Sequence, residues 1–425
     1  MLCQHRACGS VPGPVGEAGR GADPPTTHPA APVSRRPPRL LIFAITVTGI
    51  LNNTLLGPSI PDILDDFGAG ASAAGLIVAA GSLPGIVVAP VIGLLADRYG
   101  RRIVLTPCLA TFGTFGLATA LAPTLEVMIA TRLLQGFGTA GLINLAVVLI
   151  SDHWDGDART ALIGRNAAVL TLGLALAPAL GGLVSDALGW RAALLLYAIG
   201  LPMSALVWRV LEADRPTSQE TVGEQVRAAR TAVGNPVVKA SLGSGILVFV
   251  LIFGGFLTTF PVHLEEVFGL SASARGLLIA VPAATASLIA FNLGRIRARW
   301  SMRALLIAAG VSYVTAFAGI ASAGTIVVVV VACMLYGLGE GVFIPSLQDA
   351  VAGAAPPERR GAVLAVWVGA ARLGQTLGPL LAGGALALTS TTGVFVLGVG
   401  VALILLAAQV LGPIGRSPVP APARR

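Results

Sequence analysis

Apolar runs of about 20 residues, separated by short polar stretches, recur along nearly the whole chain, and that is the length a helix needs to cross roughly 30 Å of hydrocarbon. Twelve runs fit: 40–62, 73–95, 103–121, 126–150, 160–184, 190–211, 239–261, 275–294, 303–321, 325–350, 361–387 and 392–412. The pattern predicts an all-α membrane protein with 12 transmembrane helices. Residues 212–238 form a longer polar linker, in which Thr217 and Glu220 have capping-box spacing. Val222, Val226, Ala229 and Val233 then share one helical face before Gly234-Asn235-Pro236 ends the run. This reads as an amphipathic helix on the cytoplasmic surface, with a flexible linker as the alternative. Residues 1–38, rich in Pro, Gly and Ala, lack the apolar core of a signal peptide and read as a disordered cytoplasmic tail, and 413–425 as a second cytoplasmic tail. A start codon assigned too far upstream would equally account for residues 1–38.

The sequence also matches itself at a shift of 201 residues, beginning with FGAGASAAGL at Phe67 against FGLSASARGL at Phe268. The same shift pairs Gly93 with Gly294, Arg98 with Arg299, Gly136 with Gly337, Gly138 with Gly339, Arg159 with Arg360, Gly173 with Gly374 and Pro178 with Pro379. Helices 2 to 5 thus repeat as helices 8 to 11. An even number of helices per half makes this a parallel repeat about an axis normal to the membrane. Two six-helix bundles, 39–211 and 239–412, are therefore expected to face each other across one cleft.

Composition agrees: 55% of residues are hydrophobic, 11% are charged and the mean hydropathy is +0.83, outside the usual range of soluble domains. The net charge of +8 raises the question of nucleic acid, and the placement of the basic residues answers it. With a cytoplasmic N-terminus, Arg191 and Arg275 fall outside, Arg132 and Arg372 fall within helices, and the rest of the 28 lie on the inner side. That is the positive-inside bias, which places both termini in the cytoplasm and makes the basic charge a report on topology. The outer loops carry acids instead, Asp65, Asp66, Glu126, Glu265 and Glu266. Cys3 and Cys8 lie in the tail and Cys108 and Cys333 within apolar runs, so free thiols are expected. His5, His28, His153 and His263 are scattered, with no HExxH, no paired carboxylates and no GxxxxGK[ST] nucleotide loop.

Between helices 2 and 3 stands GLLADRYGRR (93–102). Helix 4 contains TRLLQGFGTA, in which Arg132, Gln135, Gly136 and Thr139 share a face, and helix 5 contains GLALAPALGG (173–182). With twelve spans and a six-plus-six repeat, these motifs resemble the major facilitator superfamily over about 40–412. The first resembles that family's signature loop, here Gly93, Asp97, Arg98, Gly100, Arg101 and Arg102. The resemblance implies that Asp97 latches the N-terminal bundle to the start of helix 11, near Pro357 to Gly361, holding the outward-open state. A carboxylate apposed to a helix N-terminus is stabilised by the helix dipole, which supports the latch independently. Arg98 or Arg101 is expected to pair with Asp152. A solvated turn whose arginines only enforce topology is the alternative. In the repeat copy Ala298 stands where Asp97 does, which leaves a matching second latch in doubt.

The resemblance implies a role in proton coupling for Arg132, while the cost of an arginine within a span leaves both a cavity-lining and a structural hydrogen-bonding reading open. The repeat maps Arg132 to Cys333, Gln135 to Tyr336 and Thr139 to Glu340. Glu340 is the only acid well inside a span, and an acid that is costly to ionise is what a proton carrier needs. A static ion pair with Arg372, at similar depth on helix 11, competes with that reading. Two stripes, Gly173, Ala177 and Gly181 beside Pro178, and Gly374, Gly378 and Ala382 beside Pro379, are expected to form sliding contacts between the bundles, generic helix packing being the other explanation. The helix 5 motif resembles a signature of proton-driven antiporters, with Ala177 in place of the usual glycine. Arg372, about 160° from the Gly374 stripe, is expected to point into its own bundle. Phe249, Phe253, Phe256 and Phe260 form one aromatic face of helix 7, lipid-facing, core, or lining the cleft opposite Asn52 and Asn53.

The function expected is secondary transport by alternating access, first as proton-coupled efflux (antiport) of a small hydrophobic or amphiphilic compound. Proton symport or facilitated uptake of a metabolite is the alternative within transport, and a membrane enzyme or transport-inactive sensor the alternative outside it. No metal and no cofactor are expected, the proton gradient supplying energy. The partners are lipid bilayer, small-molecule substrate and protons, for a monomer in the cell membrane.

Overall fold

The structure, a computed structural model, describes residues 36–212, 233–355 and 360–415. The expected linker helix, apart from Val233, and the tails before residue 36 and after residue 415 lie outside the described residues. Among the described residues twelve helical rods follow one another: α1 (Arg39–Asp66), α2 (Ala73–Ser82 and Gly85–Tyr99), α3 (Arg101–Ala120), α4 (Leu125–His153), α5 (Gly156–Leu188), α6 (Trp190–Val210), α7 (Pro236–Phe268), α8 (Ala272–Arg297), α9 (Met302–Ala321), α10 (Ile326–Gly353), α11 (Arg360–Leu386) and α12 (Thr391–Leu411). Ten are long and apolar enough to cross a membrane, and bent α2 makes an eleventh among the described residues. The remaining rod, α11, carries Arg372, Gln375 and several glycines, which lower its apolarity. Helix α1 runs past the expected end at 62 because Pro58 and Pro61 each fall in the first turn of a new helical segment, where no backbone donor is lost.

The internal repeat is visible in the packing. A side chain at Gly136 would strike Gly81 and Pro84, and one at Gly337 would strike Pro282 and Thr285, the same pair 201 positions on. Gly138 against Cys108 and Phe112 is likewise repeated by Gly339 against Ala309 and Tyr313. Such glycines bring backbones together where lipid supplies no hydrophobic drive for helix association.

The end at which α1 begins and α12 finishes is the terminal end, and the opposite one the far end. The halves join at the far end. There Gly75 of α2 packs on Pro379 and Gly383 of α11, while Gly182 of α5 packs on Ala272 and Ser273 of α8. A far-end cluster of the first half, with Leu55, Ile63 and Trp190, takes in Val262 and Phe253 of α7. At the terminal end the cluster around Ile42, Leu105 and Leu149 contains first-half residues alone. In the second half the main cluster likewise contains only its own residues.

Bulk placed at Gly182 must therefore separate the halves at the far end. Gly182→Leu is expected to raise far-end cysteine labelling severalfold while leaving labelling at the terminal end of α2 unchanged.

Candidate functional site

A cavity with about 950 Å³ of empty space, its open mouth included, lies at mid-depth between the halves. Its walls come from α1, α5, α7, α8 and α10, with Thr54, Thr171, Phe256, Ser287, Tyr336 and Glu340 set among aliphatic side chains. Glu340 is half-buried and forms no ion pair with any described residue. The static pair with Arg372 is therefore not formed. Tyr336, one turn before Glu340, stacks on Phe256 with ring centroids 4.6 Å apart.

Arg372 points away from its own bundle, contrary to the sequence expectation. Its guanidinium donates to Gln375 Oε1 at 3.2 Å and reaches across to the Ala140 carbonyl at 3.4 Å. Ala140 closes the first segment of α4, whose C-terminal carbonyls attract a cation. The angular reading was sound but its reference was not: Gly374 and Gly378 pack on Ile246, Phe249 and Val250 of the same half, so the opposite face looks outward.

The helix 5 stripe is corrected for the same reason. Gly173 and Gly181 pack on Ile50 and Leu55 of α1, within their own half. The contacts across the halves come one residue round the helix, from Pro178, Ala179 and Gly182 against Gly276 and Ala272. Ala177 is buried, and Pro379 meets Gly75.

Arg132 does not line the cavity; it is wholly buried inside the first half. Its guanidinium donates to the Asn52 carbonyl (2.8 Å), Asn52 Oδ1 (3.1 Å), Asn53 Oδ1 (2.7 Å), Gln135 Oε1 (3.0 Å) and the Ile77 carbonyl (3.5 Å). Tyr197 donates to the same Asn52 carbonyl at 2.8 Å. No carboxylate joins this nest among the described residues, so neutral oxygens carry the charge. Asn52 and Asn53 belong to it rather than to the cavity wall, and Thr139, bonded to the Gln135 carbonyl, is buried beside it.

The expected aromatic face of α7 is broken. Between Leu251 and Thr259 the hydrogen bonds widen to i→i+5, with Thr258 and Thr259 hydroxyls donating to the Phe253 and Gly254 carbonyls. The widened turn rotates the faces apart. Phe256 reaches the cavity, Phe249 packs on Trp367, and Phe253 joins the far-end cluster of the first half instead of lining the cleft.

In the signature loop, buried Arg101 donates to Asp97 and to Asp152, the latter at 3.0 Å, so Arg101 rather than Arg98 makes the expected pair. Arg98 lies over Tyr99, and Arg102 stacks on Trp208 at 4.0 Å. Gly100, at φ 92°, makes the turn between α2 and α3 in a conformation that favours glycine, whereas nothing crowds Gly93. The partner expected for Asp97 at the start of α11 lies mostly outside the described residues.

Sequence reasoning missed the far-end polar lock. Arg275, counted as an outer-loop residue, is 1% exposed and pairs across the halves with Asp62 at 2.7 Å. Asp186, at the end of α5, accepts from the backbone N–H groups of Ala272 (2.9 Å) and Ser273 (3.0 Å), capping α8 from the other half. The available signal was that Arg275 is one of two basic residues on the acidic side.

A family model, the Major Facilitator Superfamily, matches residues 42–355 and 322–425. Multidrug resistance protein Stp of Mycobacterium tuberculosis is 30% identical over 40% of this chain and 32% of its own length. The 4-hydroxybenzoate transporter PcaK of Pseudomonas aeruginosa is 31% identical over 41% and 40%. A hexuronate transporter of Bacillus subtilis is 26% identical over 57% and 60%. The chain thus matches less than two thirds of the length of these curated relatives. Among solved structures, a bacterial homologue of the human lysosomal transporter Spinster superposes with a TM-score of 0.72 at 18% identity, covering 88% of this chain and 95% of that one. The nucleoside transporter NupG gives 0.68 at 16% identity over 88% and 98%.

Two outcomes follow from this geometry. Asp62→Asn and Arg275→Gln are each expected to raise far-end labelling, and the double variant no more than either alone, because both remove one interaction. Arg132→Lys, with three donors in place of a planar fork, leaves buried acceptors unmet at about 1–3 kcal/mol each, so the thermal unfolding midpoint in detergent falls.

Proposed function

The chain belongs to the major facilitator superfamily, and on that premise we propose that it is a secondary transporter in which the two halves rock about the mid-depth cavity. The positive-inside bias makes the terminal end cytoplasmic. The state described is then closed to the outside, with Asp62–Arg275 and Asp186 as the outer lock. The coupling proposed is proton-driven efflux of an amphiphilic solute, and the observation that carries it is Glu340: an acid in the wall between the halves, without a basic partner among the described residues. Such a group can give up a proton when substrate arrives and regain it on the other side. The aliphatic and aromatic lining suits amphiphiles better than sugars. The Asp97–Arg101–Asp152 cluster would brace the signature loop against α4, with Asp97 free to exchange Arg101 for the start of α11 when the terminal end closes. Proton symport or uptake of a metabolite remains the second reading, favoured by relatives named for 4-hydroxybenzoate and hexuronate.

Proteoliposomes loaded with a fluorescent amphiphile and given a pH gradient decide between the two. Efflux predicts substrate movement against proton movement, abolished by a protonophore; movement of both in one direction would establish the second reading. Glu340→Gln is expected to lose acceleration of substrate movement by the gradient. A variant that still couples fully would remove Glu340 from the mechanism.

A further inference from the structure

The charges of the cavity wall restrict what it can hold. Glu340 is the one charged residue among the side chains that line it. The groups around it are neutral: Thr54 from α1, Thr171 from α5, Phe256 from α7, Ser287 from α8, Tyr313 from α9 behind Tyr336, and Tyr336 with buried Cys333 from α10. Both intramembrane arginines are occupied elsewhere, Arg132 in its nest of oxygens and Arg372 on Gln375 and the α4 carbonyl. An anionic solute would therefore meet a carboxylate with no cation beside it, whereas a cation would meet a charge partner.

Resting on the transporter reading above, we infer that the cavity takes lipophilic monovalent organic cations, with Glu340 as their counter-ion and the aliphatic side chains of α5, α7 and α10 as the apolar wall around it. Phe256 and Tyr336 lie stacked and buried, so the apolar contact to a ligand falls to Leu170, Leu174, Leu257 and Ile344 around the carboxylate. A cation that has shed its water gains from the carboxylate, and its apolar groups gain from the aliphatic wall. The exchange balances. The cation pairs with the Glu340 carboxylate as the O–H bond breaks and its proton leaves to water, and the reverse step on the other side returns the proton as the cation departs. One positive charge moves each way, so the cycle is electroneutral and responds to a pH gradient but not to membrane potential.

Equilibrium binding of tetraphenylphosphonium and tetraphenylborate to the purified full-length protein tests this, because the two ions share size and shape and differ in sign. The phosphonium is expected to bind more than about tenfold tighter than the borate, a difference of about 1.4 kcal/mol or more. Its affinity should fall by about tenfold per pH unit on the acid side of the carboxyl titration, through competition with one proton. Glu340→Asp should keep that pH dependence, and Glu340→Gln should lose both it and the preference for the cation. Equal binding of the borate, unchanged phosphonium binding by Glu340→Gln, or no binding of either tetraphenylphosphonium or benzyltrimethylammonium would each overturn the inference. If the Gln variant does not fold, the two ions on the wild-type protein and on Glu340→Asp still decide it. In vesicles, flux set by a pH gradient and indifferent to a valinomycin-imposed potential is expected. Flux that follows the potential would overturn the electroneutral exchange. Selective binding without any flux would leave the cation site standing and remove the transporter reading instead.

Discussion

A charge inside hydrocarbon must face protein or water, and that constraint orders this molecule. Among the described residues Arg132, Arg372 and Glu340 stand well inside the spans, and each meets it differently. Arg132 is wrapped by amide and carbonyl oxygens of α1, α2 and α4. Arg372 leaves its own half to reach the carbonyl at the break in α4. Glu340 has neither arrangement and stands in the wall of the cavity. The positions of these groups fix which faces of α4, α10 and α11 turn inward, and the glycine contacts then fix how closely the helices approach.

Much of the fold was legible in the chain because lipid imposes a length on apolar runs and because the repeat states its own register. Gly136 against Gly81 and Pro84 recurs as Gly337 against Pro282 and Thr285, so the shift of 201 residues specified packing partners as well as topology. What periodicity could not supply was absolute phase. The Gly374 stripe and Arg372 were correctly placed on opposite faces of α11, yet which face met the other half depended on α7. On α7 itself the widened turn at Leu251–Thr259 broke the assumed spacing of the phenylalanines, and nothing in their pattern announced it.

The repeat also shows why equivalent positions take different roles. Arg132 and Cys333 occupy matching places and both are fully buried, but only the first carries a charge, and the polar nest of Asn52, Asn53 and Gln135 exists only where that charge does. Thr139 and Glu340 match in the same way. The threonine is buried against its own helix, while the acid opens onto the cavity. Symmetry of the backbone therefore gives two matching positions, and divergence of side chains leaves one buried and the other open to the cavity.

The polar locks at the two ends are not alike, and the difference bears on which way the halves move. At the terminal end Arg101 holds Asp97 and Asp152 within one half, so this cluster can persist as the halves separate. At the far end Asp62–Arg275 and the Asp186 cap on α8 join opposite halves, so opening there must break them. Arg275 is buried, and parting it from Asp62 without water would leave it with Glu265 of its own half, 3.9 Å away, as its ion-pair partner among the described residues, at a cost of several kcal/mol. Opening at the far end must therefore admit water to Arg275 as the pair parts. The same water would reach the glycine contacts at Gly75 and Gly182, which hold by close fit rather than by charge. Ionic and steric contacts at this end thus join the same two halves and would have to part together if the halves separated there.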